Sequence, residues 1–343
     1  MAVKHLFYTY GIAQYNILIM NVQAFWRAIK VKDALSPYDT IHLKVFYPSN
    51  DCDTQNPFSN APAAKDLAPF PIVIFFNGFN CSLAMYQWLA IKLANRGLVV
   101  VLFDWLVKTA NQDVFLSPGV DLAALSTETY GTMPSASALP LLLNELDNLQ
   151  SVSVLAGLLD LQKIILGGHS AGGRLALENA EPKFFERVAG AFSYGAHSAA
   201  PVSLGYNSGT ILPLPDSLPM LLIGGTEDGV IAKNSQIYGV ETWSTPTTPI
   251  IRTFQEAINS GRGDACLVIF EGANHFAISD RGDPTLSVTA FDFAATQSEP
   301  KIRSLMASTI GLFVDTFIRH RPQKSQFVQL LQDDSLIAST EFK

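Results

Sequence analysis

Along this chain, short apolar runs rich in β-branched residues alternate with segments whose apolar positions recur every three or four residues. The first kind predicts strands: Ile41 to Pro48, Pro71 to Asn77, Gly97 to Trp105, Lys163 to Gly168, Val188 to Gly195, Pro219 to Gly225 and Cys266 to Gly272. Several of these are apolar at consecutive positions rather than alternate ones, the pattern of a sheet covered on both faces. The second kind predicts core-facing helices. Ser82 to Gly97 ("SLAMYQWLAIKLANRG") ends on a glycine stop, and Lys301 to His320 ("KIRSLMASTIGLFVDTFIRH") has the same spacing without one. Strands alternating with helices predict an α/β fold with a mostly parallel central sheet and helices on both faces.

Three segments interrupt the rhythm: Ser49 to Ala68, Val107 to Ser137 and Pro201 to Ser217, all rich in Pro, Gly, Ser, Asn or Asp. The second and third begin where strands end, the side on which open α/β sheets bind ligands, so residues 107–137 and 201–217 are expected to shape a pocket. The chain lacks repeats and long charged linkers, and 343 residues with 48% hydrophobic content suit one α/β domain. Residues 322–343 are expected to form a C-terminal tail. Residues 1–40 are read as edge strands or an extension, although Leu6 to Trp26 carries no formal charge over a length that could cross a bilayer, which also allows a membrane reading. Its many Tyr, Asn and Gln residues argue for strands over a span, and leave peripheral membrane contact open.

A net charge of -7 with no basic run excludes a phosphate-binding field, so nucleic acid is not an expected partner. The three cysteines, Cys52, Cys81 and Cys266, have neither disulfide-framework nor metal-ligand spacing. They read as ordinary thiols in a reducing, cytoplasmic setting. No cluster of His, Cys and Asp predicts a metal, and no glycine-rich piece sits in a dinucleotide setting, so no cofactor is expected.

One stretch carries chemistry. In "GGHSAGG", Gly167 to Gly173, Ser170 has a glycine two residues to either side, an apolar strand before it and an alanine- and leucine-rich helix after it. A nucleophilic serine on a sharp strand-to-helix turn needs that arrangement, because the glycines let helix and strand approach without Cβ clashes. The plain alternative is a serine capping a helix. A hydroxyl also needs a base and an orienting acid, which in this architecture follow in the order Ser, acid, His. The loop after Pro219 to Gly225 supplies Glu227 and Asp228, of which Asp228, a short carboxylate before a glycine, is preferred; the loop after Cys266 to Gly272 supplies His275. Of the six histidines, His197 is the serious rival, although it would break the order, and Asp104 is a more distant rival as acid. The oxyanion donors expected are the amides of Ala171, at the helix start, and Phe79, in the turn after Pro71 to Asn77, with Gly78 as alternate. Asn77 is read as ending the strand. Gly78, Tyr86 and Trp105 are candidate substrate contacts near that apolar turn, while Met85 and Trp88 also fit a helix core.

Pro71 to Trp105 resembles the oxyanion turn, helix and following strand of the α/β-hydrolase branch that contains chlorophyllases, plasma-type platelet-activating-factor acetylhydrolases and cutinase-like polyester hydrolases. "GHSAGG", "GGTEDGVI" and "ANHFAIS" resemble that branch's elbow, acid loop and histidine loop. The similarity runs from about Ile41 to His275. It implies a serine esterase that works through an acyl-enzyme on a lipophilic small-molecule ester, with Ser170, Asp228 and His275 as triad and Phe79 and Ala171 as oxyanion donors. After the nucleophile, chlorophyllases usually carry Arg, polyester hydrolases Met and the acetylhydrolases Phe; this chain has Ala171. The substrate within the branch is therefore open among a chlorophyll-like ester, a phospholipid acetyl ester and a polyester. A non-catalytic ligand-binding homologue is the alternative of another class.

Overall fold

A computed structural model of the chain describes residues 21–32, 34–50, 61–109, 111–280 and 285–343. The stretch from Leu6 to Met20, Cys52 and residues 51–60 of the excursion after Ser49 lie outside the described residues. The strands are β1 (Asn21–Lys30), β2 (Thr40–Ser49), β3 (Phe70–Phe76), β4 (Val99–Lys108), β5 (Val114–Leu116), β6 (Leu159–His169), β7 (Val188–Tyr194), β8 (Met220–Glu227), β9 (Ala265–Asn274) and β10 (Ile337–Phe342). The α-helices are α1 (Gln87–Ala94), α2 (Leu139–Val152), α3 (Ser170–Glu178), α4 (Gly229–Lys233), α5 (Thr248–Arg252), α6 (Glu299–Phe313) and α7 (Lys324–Asp333).

The fold is α/β with a mixed, mostly parallel ten-stranded sheet in the order β1-β2-β4-β3-β6-β7-β8-β9-β10, with β5 attached to β4. From β4 through β9 every neighbouring pair is parallel, whereas β1–β2, β2–β4 and β9–β10 are antiparallel. Alternate residues of each central strand feed two separate cores, as the strand period of two requires. Ile72, Ile74, Val101 and Leu166 face one core with α2 and α3, while Val73, Phe75, Val100 and Ile165 face the other with α1, α6 and α7.

The chain leaves β3 toward β4 on one side and returns to pair β6 with β3 on the other. That reversal opens a crevice beyond the carboxyl ends of β3 and β6, the place where open α/β sheets take ligands. One expectation needs correction. Residues 322–343 are no loose tail: they form α7, which buries Phe327 and Leu331, and then β10, which closes the sheet edge against β9. The uncharged N-terminal stretch and the following residues overlap β1, whose register along β2 runs from Asn21 opposite Ser49 to Lys30 opposite Thr40. Among the described residues no helix is long and apolar enough to cross a membrane.

Candidate active site

Ser170 opens α3 at φ +53°, in the left-handed region, with the extended His169 before it. A residue with a Cβ held there costs about 1–3 kcal/mol, so the surrounding packing has to enforce it. It does so through two glycines. A Cβ on Gly168 would lie 2.3 Å from the Gly172 carbonyl oxygen, and one on Gly172 would lie 2.3 Å from the carbonyl oxygen of Phe76. Helix, elbow and β3 touch backbone to backbone, which turns Ser170 out of the sheet.

Ser170 lines a cavity of about 110 Å³ together with Gly78, Phe79, His275, Phe276 and Leu286, and with Val230 and Val288. Its walls come from the turn after β3, the elbow, the segments after β8 and β9, and Leu286 and Val288. The excursions 107–137 and 201–217 instead line a separate cavity of about 310 Å³ with Tyr130, Glu178 and Phe184. Their expected pocket role therefore applies to a second pocket, although Phe115 of the first excursion packs on Phe79 at 4.4 Å between ring centroids.

The structure brings Asp228 and His275 together: Nδ1 of His275 lies 2.8 Å from Oδ2 of Asp228, and both side chains are buried. The other Asp228 oxygen accepts from the Ile231 amide at 2.9 Å and caps α4, so the carboxylate is fixed at both ends. Burial opposes the His275 imidazolium, but Asp228, through its charge and hydrogen bond, and Asp292 beyond it hold the ring above its ordinary pKa of 6.5. Among the described residues Ser170 makes no hydrogen bond to His275, and the two meet across the shared cavity. Such contacts often tighten only when substrate binds.

The rivals are placed elsewhere. Glu227 continues β8 opposite Asn274. Asp104 accepts from the Leu83 amide at 2.7 Å and from Ser82 Oγ at 3.0 Å, a loop-capping carboxylate. His197 packs edge-on against Tyr238, and burial first, then Arg174 and His275, push its pKa down to about 3.

In the turn after β3 the Gly78 amide donates to Tyr86 Oη at 3.1 Å, and those of Asn80 and Cys81 donate to the carbonyls of Leu116 and Gly78. Among the described residues the Phe79 amide has no partner. The Ala171 amide lies in the first turn of α3, where helix amides lack an acceptor within the helix. Gly78 is thus committed as a donor, which removes it as alternate. Asn77 closes the turn by donating its side-chain amide to the Cys81 carbonyl. Tyr86 is fully buried behind the turn and does not line the cavity, and Trp105 donates to the Tyr38 carbonyl at 2.9 Å. Neither is placed to contact substrate at Ser170; of the three candidates only Gly78 lines the cavity. Met85 is a core residue, and Trp88 is half-buried with its indole on the Ile278 carbonyl.

Sequence reasoning missed the residues that hold the dyad. Asp292 accepts from the amides of Gly229 and His275 through Oδ1, at 3.0 and 3.1 Å, and from Phe276 through Oδ2 at 3.1 Å, so one carboxylate joins the acid loop to the histidine loop. Burial raises its pKa, and Asp228 adds to the rise against the pull of His275 and the amides. Tyr194 donates to the Asn274 carbonyl at 2.5 Å. Gly195, at φ +60°, lies under the dyad: a Cβ there would stand 3.1 Å from His275 Nδ1. Only the strand end before "YGAH" hinted at these two residues. Among the described residues no group of three His, Cys, Asp or Glu side chains is placed to hold a metal ion. In comparisons with known proteins, no family model and no curated protein matches this chain.

Proposed function

We propose that this chain is a serine carboxylic-ester hydrolase with an α/β-hydrolase fold, acting through an acyl-enzyme on an uncharged, apolar ester. The observation that carries the proposal is Ser170 at a left-handed strand-to-helix elbow, sharing one cavity with a His275 ring bonded to Asp228. The chain order Ser, Asp, His and the unpaired Phe79 amide in the loop between β3 and α1 support the same reading.

In that reading His275, neutral and anchored at Nδ1 by Asp228, takes the Ser170 proton at Nε2 as Oγ attacks the ester carbonyl. The amides of Phe79 and Ala171 receive the oxyanion, and the imidazolium then protonates the departing alkoxide. Water, deprotonated by the same imidazole, releases the acid. Among the described residues no Lys or Arg lines the cavity, and Phe79, Val230, Phe276, Leu286 and Val288 do, which suits an uncharged apolar group at the reacting centre. A larger hollow of about 790 Å³ shares Asn80 and Leu286 with it and is of mixed character, with Trp88, Ile91 and Leu116 beside Gln87 and Asp280, room for the remainder of an ester with both apolar and polar groups.

A fluorophosphonate probe tests the reaction type: it is expected to label Ser170 in the folded protein and to lose that labelling in His275→Ala. Absence of labelling in both would overturn the proposal. A panel of p-nitrophenyl esters, a phospholipid acetyl ester, a chlorophyll and a soluble polyester then orders the substrate classes.

A further inference from the structure

Behind the candidate site runs a single chain of hydrogen bonds through two side chains that the proposed reaction does not use. The Gly78 amide donates to Tyr86 Oη at 3.1 Å, Tyr86 Oη lies 2.9 Å from His169 Nδ1, and His169 Nε2 lies 3.0 Å from the His275 carbonyl oxygen. Both rings are fully buried. The partners fix the protons of the ring. A carbonyl only accepts, so Nε2 of His169 carries hydrogen; the neutral ring then accepts at Nδ1, so Tyr86 donates there while its oxygen receives the Gly78 N–H, with the Cys81 thiol beside it. Burial first, and the nearby His275 ring second, hold His169 well below its ordinary pKa, in keeping with that neutral tautomer.

We propose that Tyr86 and His169 are positioning residues which tie the oxyanion turn to the loop carrying His275, so that the oxyanion donor and the general base are held as one unit. The inference rests on the esterase reading above. The chain joins the turn after β3, the segment leading into α1, the elbow itself and the loop after β9, adding side-chain links to the backbone contacts that the elbow makes with β3 and that Asp280 makes with the Met85 carbonyl. At one end it engages the Gly78 amide, and the next amide, Phe79, has no partner among the described residues. At the other it adds a third restraint to His275, whose amide is held by Asp292 and whose ring is held by Asp228. A neutral ring suits this position, because the His169 and His275 rings are 4.6 Å apart and a positive charge on His169 would oppose the imidazolium formed during catalysis.

The test uses Tyr86→Phe, His169→Leu and His169→Gln in the full chain, with kcat and KM on p-nitrophenyl butyrate and the affinity of an alkylboronic acid as tetrahedral mimic. A misplacement on the order of 1 Å costs roughly 100-fold in rate. Tyr86→Phe and His169→Leu are therefore expected to lower kcat about 10- to 100-fold and boronate affinity in proportion, with KM within about threefold. The double variant should be no worse than the worse single one, because either change cuts the same chain. His169→Gln should recover most of the rate, since its amide can donate to the His275 carbonyl and accept from Tyr86.

Kcat and boronate affinity within about threefold of wild type in Tyr86→Phe would overturn the inference while Ser170 still labels with fluorophosphonate. So would a His169→Gln variant as impaired as His169→Leu, because packing alone would then explain the loss. If His169→Leu fails to fold, Tyr86→Phe, which removes one oxygen, decides. A wild-type protein that neither labels nor hydrolyses any ester overturns the esterase reading itself, and this inference with it.

Discussion

Asp228 and Asp315 are almost equally buried, at 1% and 2% exposure, and each meets partners that can be positively charged, but the two regions are built for different ends. Asp315, late in the helical run that begins as α6, meets three arginines: Arg96 at 2.8 Å, Arg319 at 3.1 Å and Arg321 at 3.1 Å. Guanidinium groups stay protonated at any pH the fold survives, so this cluster cannot exchange a proton and acts as a clasp between the ends of α1 and α6. Asp228 meets one imidazole, whose charge changes near neutrality, and directs its other oxygen to a helix cap. Burial alone does not mark a functional carboxylate. A partner with a titratable proton, facing a cavity, is what the proposed esterase reading adds at Asp228.

Removing each carboxylate should separate the two roles. Asp228→Asn keeps the shape but no longer enforces the tautomer that leaves Nε2 free to accept, and kcat on a p-nitrophenyl ester should fall about 10⁴-fold with only a small change in melting temperature. Asp315→Asn should do the reverse. It strands three cations, two of them partly exposed, and should cost about 2–4 kcal/mol in urea unfolding while kcat and KM stay near wild type. An Asp315→Asn variant that lost activity in the folded state would break the distinction.

How much of this was legible in sequence follows from the range of the interactions. The elbow was readable because its requirements are local: Gly168, Ser170 and Gly172 sit within five consecutive residues between a strand and a helix. Asp228 was separable from Glu227 because a short carboxylate before glycine suits a loop aimed at an imidazole; that it also caps α4 was not read. Asp292 was not readable, since "AFDFA" gives no local sign of a residue that bonds amides 16, 17 and 63 positions away. Tyr86 and His169 were misjudged or passed over for the same reason; their link spans 83 positions, and a tyrosine at helical spacing looks equally like a substrate contact or core. At the C-terminus, β10 is a short strand of mixed polarity at the sheet edge, so its identity depends on β9 rather than on its own pattern.

The two regions should also differ in their response to pH. The His275 pKa is raised above 6.5, against burial, chiefly by Asp228. Stability from the imidazolium pair is therefore fully present below the unfolded value near 6.5 and is lost as pH rises through the higher folded value. Activity runs the opposite way, because the base form is needed: the acidic limb of kcat/KM should have its midpoint above 6.5. In Asp228→Asn the residual activity should show that limb shifted to lower pH, as burial then acts without the carboxylate. An acidic midpoint at or below 6.5 in the wild type would contradict the arrangement. Asp315→Asn should leave the midpoint in place.

The smallest expected effect concerns Ser170 itself, and it sharpens the contrast between a residue kept for chemistry and one kept for the fold. At φ +53° any residue with a Cβ is strained, by roughly 1–2 kcal/mol, and glycine is not. Ser170→Ala and Ser170→Gly should both abolish fluorophosphonate labelling. Their stabilities should differ, since alanine keeps the strain and glycine relieves it at the expense of a more flexible unfolded chain, which offsets about 0.4–1 kcal/mol. Ser170→Gly is accordingly expected to unfold about 0.5–1 kcal/mol later than Ser170→Ala in matched urea titrations. Equal stabilities would mean that the elbow relaxes once the hydroxyl is gone. A less stable glycine variant would mean that the side chain contributes packing, which would move Ser170 toward the same class as Asp315.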